Sequence, residues 1–221
     1  MRLGVLSDVH GNRPALEAVL ADAPPVDRFV CAGDVVGYNP WPADCLEWLR
    51  SNDVPTVMGN HDRAVARGTT FRFNEMAAAG VEFARERLDS ADIDWLRTLP
   101  DRRYVADDRV YLVHGHPDDP DRYTYRPSFT PALLEQVDAE ILILGHTHVQ
   151  SHERFEDGIV MNPGSVGQPR DGDPRAAYAI VDLDAMTVEE RRVEYDIDRV
   201  IAAVRESNLP DRIGTRLKRG K

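Results

Sequence analysis

Leu3-Gly4-Val5-Leu6-Ser7-Asp8-Val9-His10 opens the chain with an apolar run that ends in Asp-x-His. The same layout returns four times. Apolar runs at 29–32, 54–58, 110–113 and 141–144 lead into Gly33-Asp34, Gly59-Asn60-His61-Asp62, Val113-His114-Gly115-His116 and Gly145-His146-Thr147-His148. Short apolar runs bounded by Gly and polar residues read as buried strands. Each polar cluster therefore falls at the carboxyl end of a strand, where open α/β sheets bind ligands. All histidines except His152 lie in these motifs. Scattered surface histidines would not segregate in this way, and one shared metal site is the simplest physical account.

The segments between the motifs predict alternating elements. Helices are expected at 14–20, with Pro14 near the first turn, at 42–50, and from residue 62 onward. Together with strands at 3–6, 29–32 and 54–57 this gives a βαβαβ order and a parallel sheet. Residues 74–99 read as two helices, with Asp89-Ser90 as break and N-cap. Asp107-Asp108 marks a hairpin turn before the run at 110–113, and 117–131 reads as an irregular loop near the site. Later strands are expected at 141–144, 149–155, 159–161, 178–182 and 188–194, and a closing helix at 196–207. The predicted organisation is one domain over residues 1–208 and a basic, mobile tail over 209–221 that lacks apolar periodicity.

At 221 residues and 42% hydrophobic content the chain can bury a core. No apolar stretch is long enough to span a bilayer. The start of the chain does not read as a secretory signal, so a cytoplasmic protein is expected. Cys31 and Cys45 read as two free, buried thiols. Asp outnumbers Glu by 25 to 13, Arg outnumbers Lys by 25 to 2, and the net charge is -11. Such a surface repels polynucleotide phosphates. It also fits a protein kept soluble in concentrated salt, although a GC-rich codon bias alone would favour Arg over Lys.

Asp and His supply oxygen and nitrogen to divalent transition metals. In Asp8-Val9-His10 alternate residues of an extended segment project to one side, and His146 and His148 repeat the spacing. With no cysteine in the motifs, a structural zinc finger is excluded. Two carboxylates, an amide and four histidines suffice for two ions, and Asp34 is the expected bridge because its strand should be central.

The ordered set Asp8-x-His10, Gly33-Asp34, Gly59-Asn60-His61-Asp62, His114 and Gly145-His146-x-His148 resembles the calcineurin-like metallophosphoesterase superfamily. The resemblance runs from residue 1 to about residue 195. With the segment Asn162-Pro163-Gly164-Ser165-Val166-Gly167, the chain looks like small prokaryotic YfcE-type phosphodiesterases and diadenosine-tetraphosphatase-related proteins. The resemblance implies an α/β fold, a four-layer α/β/β/α sandwich with two facing mixed β-sheets. It implies two divalent ions, Mn²⁺ first, with Ni²⁺, Fe²⁺, Co²⁺ or Zn²⁺ as alternatives. Asp8, His10, Asp34 and His148 would hold one ion, and Asp34, Asn60, His114 and His146 the other. His61 would be the catalytic histidine, with Asp62 orienting its imidazole and raising its pKa.

The implied reaction is in-line attack of a metal-bridging hydroxide on a phosphodiester or nucleotide substrate, with His61 protonating the leaving group or stabilising the transition state. The alternatives are a dinucleoside polyphosphate hydrolase and a non-catalytic metal-binding scaffold of the same fold, such as the retromer scaffold subunit. Outside the ligand set, Asn12, Arg13 and Arg170 are candidate phosphate contacts or surface salt-bridge residues, and His116 a candidate substrate contact or structural residue. Tyr38, Tyr123 and Tyr125 are candidates for stacking on a nucleobase or for packing in loops.

Overall fold

The computed structural model describes residues 1–71 and 73–221. The first part of the chain runs β1 (Arg2–Leu6), α1 (Arg13–Asp22), β2 (Arg28–Cys31), α2 (Pro42–Ser51), α3 (Asn60–Arg67), α4 (Glu75–Arg87) and α5 (Ser90–Thr98). There follow β3 (Arg102–Val105), β4 (Val110–Val113), α6 (Pro131–Val137), β5 (Ile141–Ile143), β6 (Ser151–Arg154) and β7 (Ile159–Asn162). The chain closes with β8 (Ala176–Asp182), β9 (Thr187–Val193), α7 (Ile197–Glu206) and α8 (Arg212–Thr215).

The strands form two mixed sheets, ordered β2-β1-β8-β9 and β3-β4-β5-β7-β6. In the first, β1 pairs parallel with β2 and antiparallel with β8. In the second, β4, β5 and β7 run parallel, and β3 and β6 are antiparallel edges. Side-chain alternation divides each strand between two layers. Leu3, Val5, Val110, Leu112, Ile141, Ile143, Ala179 and Val181 share the core between the sheets. Leu6, Tyr178 and Ile180 turn the other way, into the layer with Leu16, Leu46, Val65, Val81 and Leu96 from the helices. Tyr111, Val113, Leu142 and Leu144 pack instead with Leu133, Leu134 and Val137 of α6. The result is the α/β/β/α sandwich, with α6 thinly covering the second sheet.

Three local expectations change. Residues 54–58 form only an isolated parallel bridge, Cys31 to Thr56. Pro55 lacks an N–H, and the Val54 N–H is taken by the Leu49 carbonyl at 3.0 Å. The strand expected over 149–155 is confined to β6. The tail is not a free segment: Ile213 and Leu217 are fully buried and pack with Val200 and Val204 of α7. Its apolar residues lie one turn apart, too few to show as a periodicity in sequence. The expected two-helix stretch appears as α4 and α5, with Asp89 as N-cap accepting from the Asp92 N–H. Among the described residues no helix is long and apolar enough to cross a membrane.

Candidate metal centre

The turns after β1, β2, β4 and β5, together with the start of α3, converge at one end of the two sheets. Asp8, His10 and His148 bring one donor atom each within 4.8 Å of one another, and so do Asp34, His114 and His146; His10, Asp34 and His61 form a third such group between them. Asp34 joins the halves: its Oδ2 lies 3.6 Å from His10 Nε2 and 3.4 Å from His114 Nε2. Its Oδ1 accepts the His61 N–H at 2.8 Å, which caps α3 and fixes the carboxylate. Asp8 behaves likewise. Its Oδ2 accepts from Ser7 Oγ and the His146 N–H, and its Oδ1 faces His148 Nε2 at 3.1 Å.

Backbone carbonyls set the histidine tautomers. His10 Nδ1 donates to Val36 O, His114 Nδ1 to Ala32 O and His148 Nδ1 to Gln168 O. A carbonyl can only accept, so each bond places a proton on Nδ1; at His10 and His148 this leaves the Nε2 lone pair facing the cluster, and at His114 Nε2 can take that role once a cation displaces its second proton. His146 is reversed: its Nε2 donates to Asp121 O, leaving Nδ1 as the ligand atom. Asp8 Oδ1, Asn60 Oδ1 and His114 Nε2 are buried without a hydrogen-bond partner among the described residues. Unsatisfied buried acceptors cost free energy unless something fills the site. Hard oxygen and imidazole nitrogen donors of this kind fit divalent cations.

The backbone is strained where the ligands sit. Asp8, His10, Asp34, His146 and His148 all adopt left-handed conformations, with φ from 49° to 67°. Such conformations cost of order 1–3 kcal/mol each and cluster at functional sites. Close packing enforces them. A Cβ on Gly59 would lie 2.0 Å from Asp34 Oδ1, and one on Gly167 would lie 1.9 Å from the Val9 carbonyl. The 162–168 segment laces the site together through Val166 N to Ser7 O, Gly167 N to Asp8 O and Ser165 Oγ to Asp8 O.

Burial lowers the pKa of His10 and His148 and takes His146 and His61 down to about 4, so these rings are neutral. At His114 burial also pulls downward, but the Asp34 and Asp8 charges outweigh it and raise the pKa to about 10. The neighbouring histidines hold Asp8 and Asp34 below the ordinary carboxylate range despite burial.

Several sequence expectations meet a different geometry. Asp62 does not touch the His61 ring. Its carboxylate accepts four backbone N–H groups, from Asp34, Val35, Val36 and Gly59, at 2.8–3.1 Å. His61 Nδ1 has no partner among the described residues. The ring is held by Phe73 and Tyr38 at centroid distances of 4.7 Å. The expected rise in its pKa is therefore replaced by a fall driven by burial. Asn12 is the N-cap of α1 and ties to Gly167 O, so it is a structural link. Arg13 pairs with Glu17 and Asp44 on the surface. His116 accepts the Asp118 N–H in a turn and does not line the cleft over the cluster.

That cleft, about 230 Å³, is lined by Asp34, Asn60, His61, His146 and His148, and by Tyr38, Tyr123 and Arg170. Tyr123 stacks on His146 at 4.0 Å and on Tyr125 at 6.2 Å. Phe73, Asn74, Ala77 and Arg216 complete the lining and were not singled out in the sequence. A helix starting near residue 74 was legible, but nothing local to it points toward the cluster.

A sandwich of two mixed sheets with an Asp/His cluster at the strand ends defines a metallophosphoesterase class of protein. The calcineurin-like phosphoesterase superfamily domain matches residues 1–186, and the chain belongs to that family. A metallophosphoesterase of known structure from Sphaerobacter thermophilus is 36% identical, with a TM-score of 0.89 over 100% of both chains. An uncharacterized protein of Methanocaldococcus jannaschii is 30% identical over 240 residues, covering 99% of this chain and 98% of its own. The phosphodiesterase YfcE of Escherichia coli is 30% identical over 196 residues, covering 85% of this chain and 91% of its own.

Proposed function

We propose that the protein is a dinuclear-metal-dependent phosphodiesterase acting on small phosphodiester or nucleotide substrates in the cytoplasm. The observation that carries this reading is the pair of Asp/His half-sites joined through Asp34, with their ligand atoms freed by carbonyl bonds on the far side of each ring. Asp8, His10, Asp34 and His148 hold one ion, and Asp34, Asn60, His114 and His146 the other. Two bound divalent ions supply a nucleophile at neutral pH and neutralise phosphoryl oxygens. Carboxylate and amide oxygen suit Mn²⁺ and imidazole suits Zn²⁺, Fe²⁺ or Ni²⁺, so the donor set admits Mn²⁺, the choice that the family resemblance implies, together with the alternatives.

The chain's own residues do the rest. His61, neutral and packed between Tyr38 and Phe73, presents its ring to the cleft and hydrogen-bonds the phosphoryl or leaving oxygen. Arg170 lines the same cleft and offers its guanidinium to an anionic oxygen of the substrate. A complete ligand set together with His61 favours turnover over a purely scaffolding role. A second reading, hydrolysis of dinucleoside polyphosphates, is favoured by the half-exposed Tyr123–Tyr125 stack beside His146, a platform on which a base can lie.

The test is metal analysis of protein purified without chelator and loaded with Mn²⁺, with parallel assays on bis(p-nitrophenyl) phosphate and p-nitrophenyl phosphate. Two ions per chain and a preference for the diester are expected. A stoichiometry near zero would overturn the metal assignment, and a clear monoester preference would overturn the diesterase assignment.

A further inference from the structure

Arg170 and Arg216 reach the cleft from separate parts of the chain. Arg170 follows the 162–168 segment, and Arg216 comes from the docked tail, beyond the residues that the family domain matches. Both are half-buried, and among the described residues Arg170 forms no ion pair with a carboxylate. Arg170 is held only by neutral groups: Gln168 Oε1 accepts from its Nε and Nη2 at 3.1 and 2.7 Å, and its Nη2 reaches Tyr38 Oη at 3.4 Å. Arg216 Nε donates to an oxygen of Lys221, which as the last residue of the chain carries the terminal carboxylate. By contrast, Arg63 and Arg192 each rest on aspartates.

Two half-desolvated guanidinium groups that share a cleft repel each other. Burial and the charge of Arg170 both lower the pKa of Arg216. Arg170 has no carboxylate partner of its own, and a half-buried guanidinium held only by neutral groups matches an anion that enters with the ligand. The charge count points the same way. Two divalent ions with Asp8, Asp34 and a bridging hydroxide would carry a local excess of about one positive charge, which a singly charged diester already neutralises. The two arginines add two more. The cleft, about 230 Å³, is smaller than the roughly 300–1,000 Å³ of typical small-molecule pockets, so it suits the phosphate-bearing part of a larger molecule.

We propose that Arg170 and Arg216 form a clamp for a second phosphoryl group of the substrate, adjacent to the one attacked at the metal centre. The preferred substrates then carry linked phosphates, as in a phosphoric anhydride, or a diester bearing a further phosphate. The tail selects among substrates by presenting Arg216, which Ile213 and Leu217 hold in place by burial against α7. The clamp rests on the phosphoesterase reading for the position of the attacked phosphate.

The test compares pyrophosphate with orthophosphate by isothermal titration calorimetry on Mn²⁺-loaded wild type, Arg216→Gln and Arg216→Lys, with metal content measured before and after each titration. Wild type should bind pyrophosphate more tightly than orthophosphate. Arg216→Gln should weaken pyrophosphate binding by about tenfold and orthophosphate binding by less than about threefold. Arg216→Lys, which keeps the charge and the stem, should recover part of the loss. No pyrophosphate advantage in wild type, or equal changes for the two anions in Arg216→Gln, would overturn the clamp. Failure of the phosphoesterase reading registers separately, as absent turnover of bis(p-nitrophenyl) phosphate by the same wild-type preparation. The anion comparison still decides the clamp in that event.

Discussion

Asp62 and His61 are neighbours in sequence with separate tasks. The carboxylate of Asp62 gathers four amides from the turn after β2 and the start of α3, so it shapes the loop that carries Asp34. Asp62→Asn would turn an amide N–H₂ toward two of those donors. Metal-free stability should fall by roughly 2–4 kcal/mol, read by urea denaturation. Activity lost at unchanged stability would instead restore an orienting role toward His61. His61→Ala removes the neutral ring from the cleft. Turnover of bis(p-nitrophenyl) phosphate should drop by about 10²–10⁴-fold while metal content stays near wild type. If the variant loses an ion, and activity returns when metal is added back, His61 is a ligand. The candidate ligands were legible because each ends an apolar run. The role of Asp62 was not, since its partners are backbone amides up to 28 residues away in sequence.

Elements were legible where side chains alternate between two packed layers. Leu3 and Val5 face the inter-sheet core and Leu6 the helices, so both apolar faces of β1 are visible in a run of a few residues. The segment at 54–58 has the same composition but pairs at one position only, because Pro55 and the Val54–Leu49 bond remove donors from a ladder. The tail was misread for a related reason. α8 has four residues, and the tail is buried through Ile213 within it and Leu217 just after it, which seat against Val200 and Val204 of α7. Leu217→Ala should therefore cost roughly 2–5 kcal/mol, as for other fully buried leucines. Thermal melts check the loss, and limited proteolysis should show earlier cleavage after the tail's basic residues. Wild-type stability and cleavage would mean that the docked tail adds nothing to the folded state.

For the whole molecule, the two-sheet sandwich was implied by the family resemblance that the ordered motifs carry, whereas surface charge bears on conditions rather than on fold. The net charge of -11 comes from 38 acidic against 27 basic residues. Many arginines are already paired at the surface, among them Arg97 with Asp94 and Arg126 with Glu153. Exposed pairs of this kind contribute about 0–1 kcal/mol, and salt weakens them too. The unpaired acidic excess repels over longer distances, so screening should relieve more repulsion than it removes attraction. The Debye length falls from roughly 10 Å at 0.1 M to about 3 Å at 1 M. We expect the melting temperature to rise across that range of potassium chloride. The rise should be larger in chelated protein, where Asp8 and Asp34 lack compensating ions, than in metal-loaded protein. A melting temperature that stays flat or falls in both forms would remove the case for salt adaptation. The excess of Arg over Lys would then rest on codon usage.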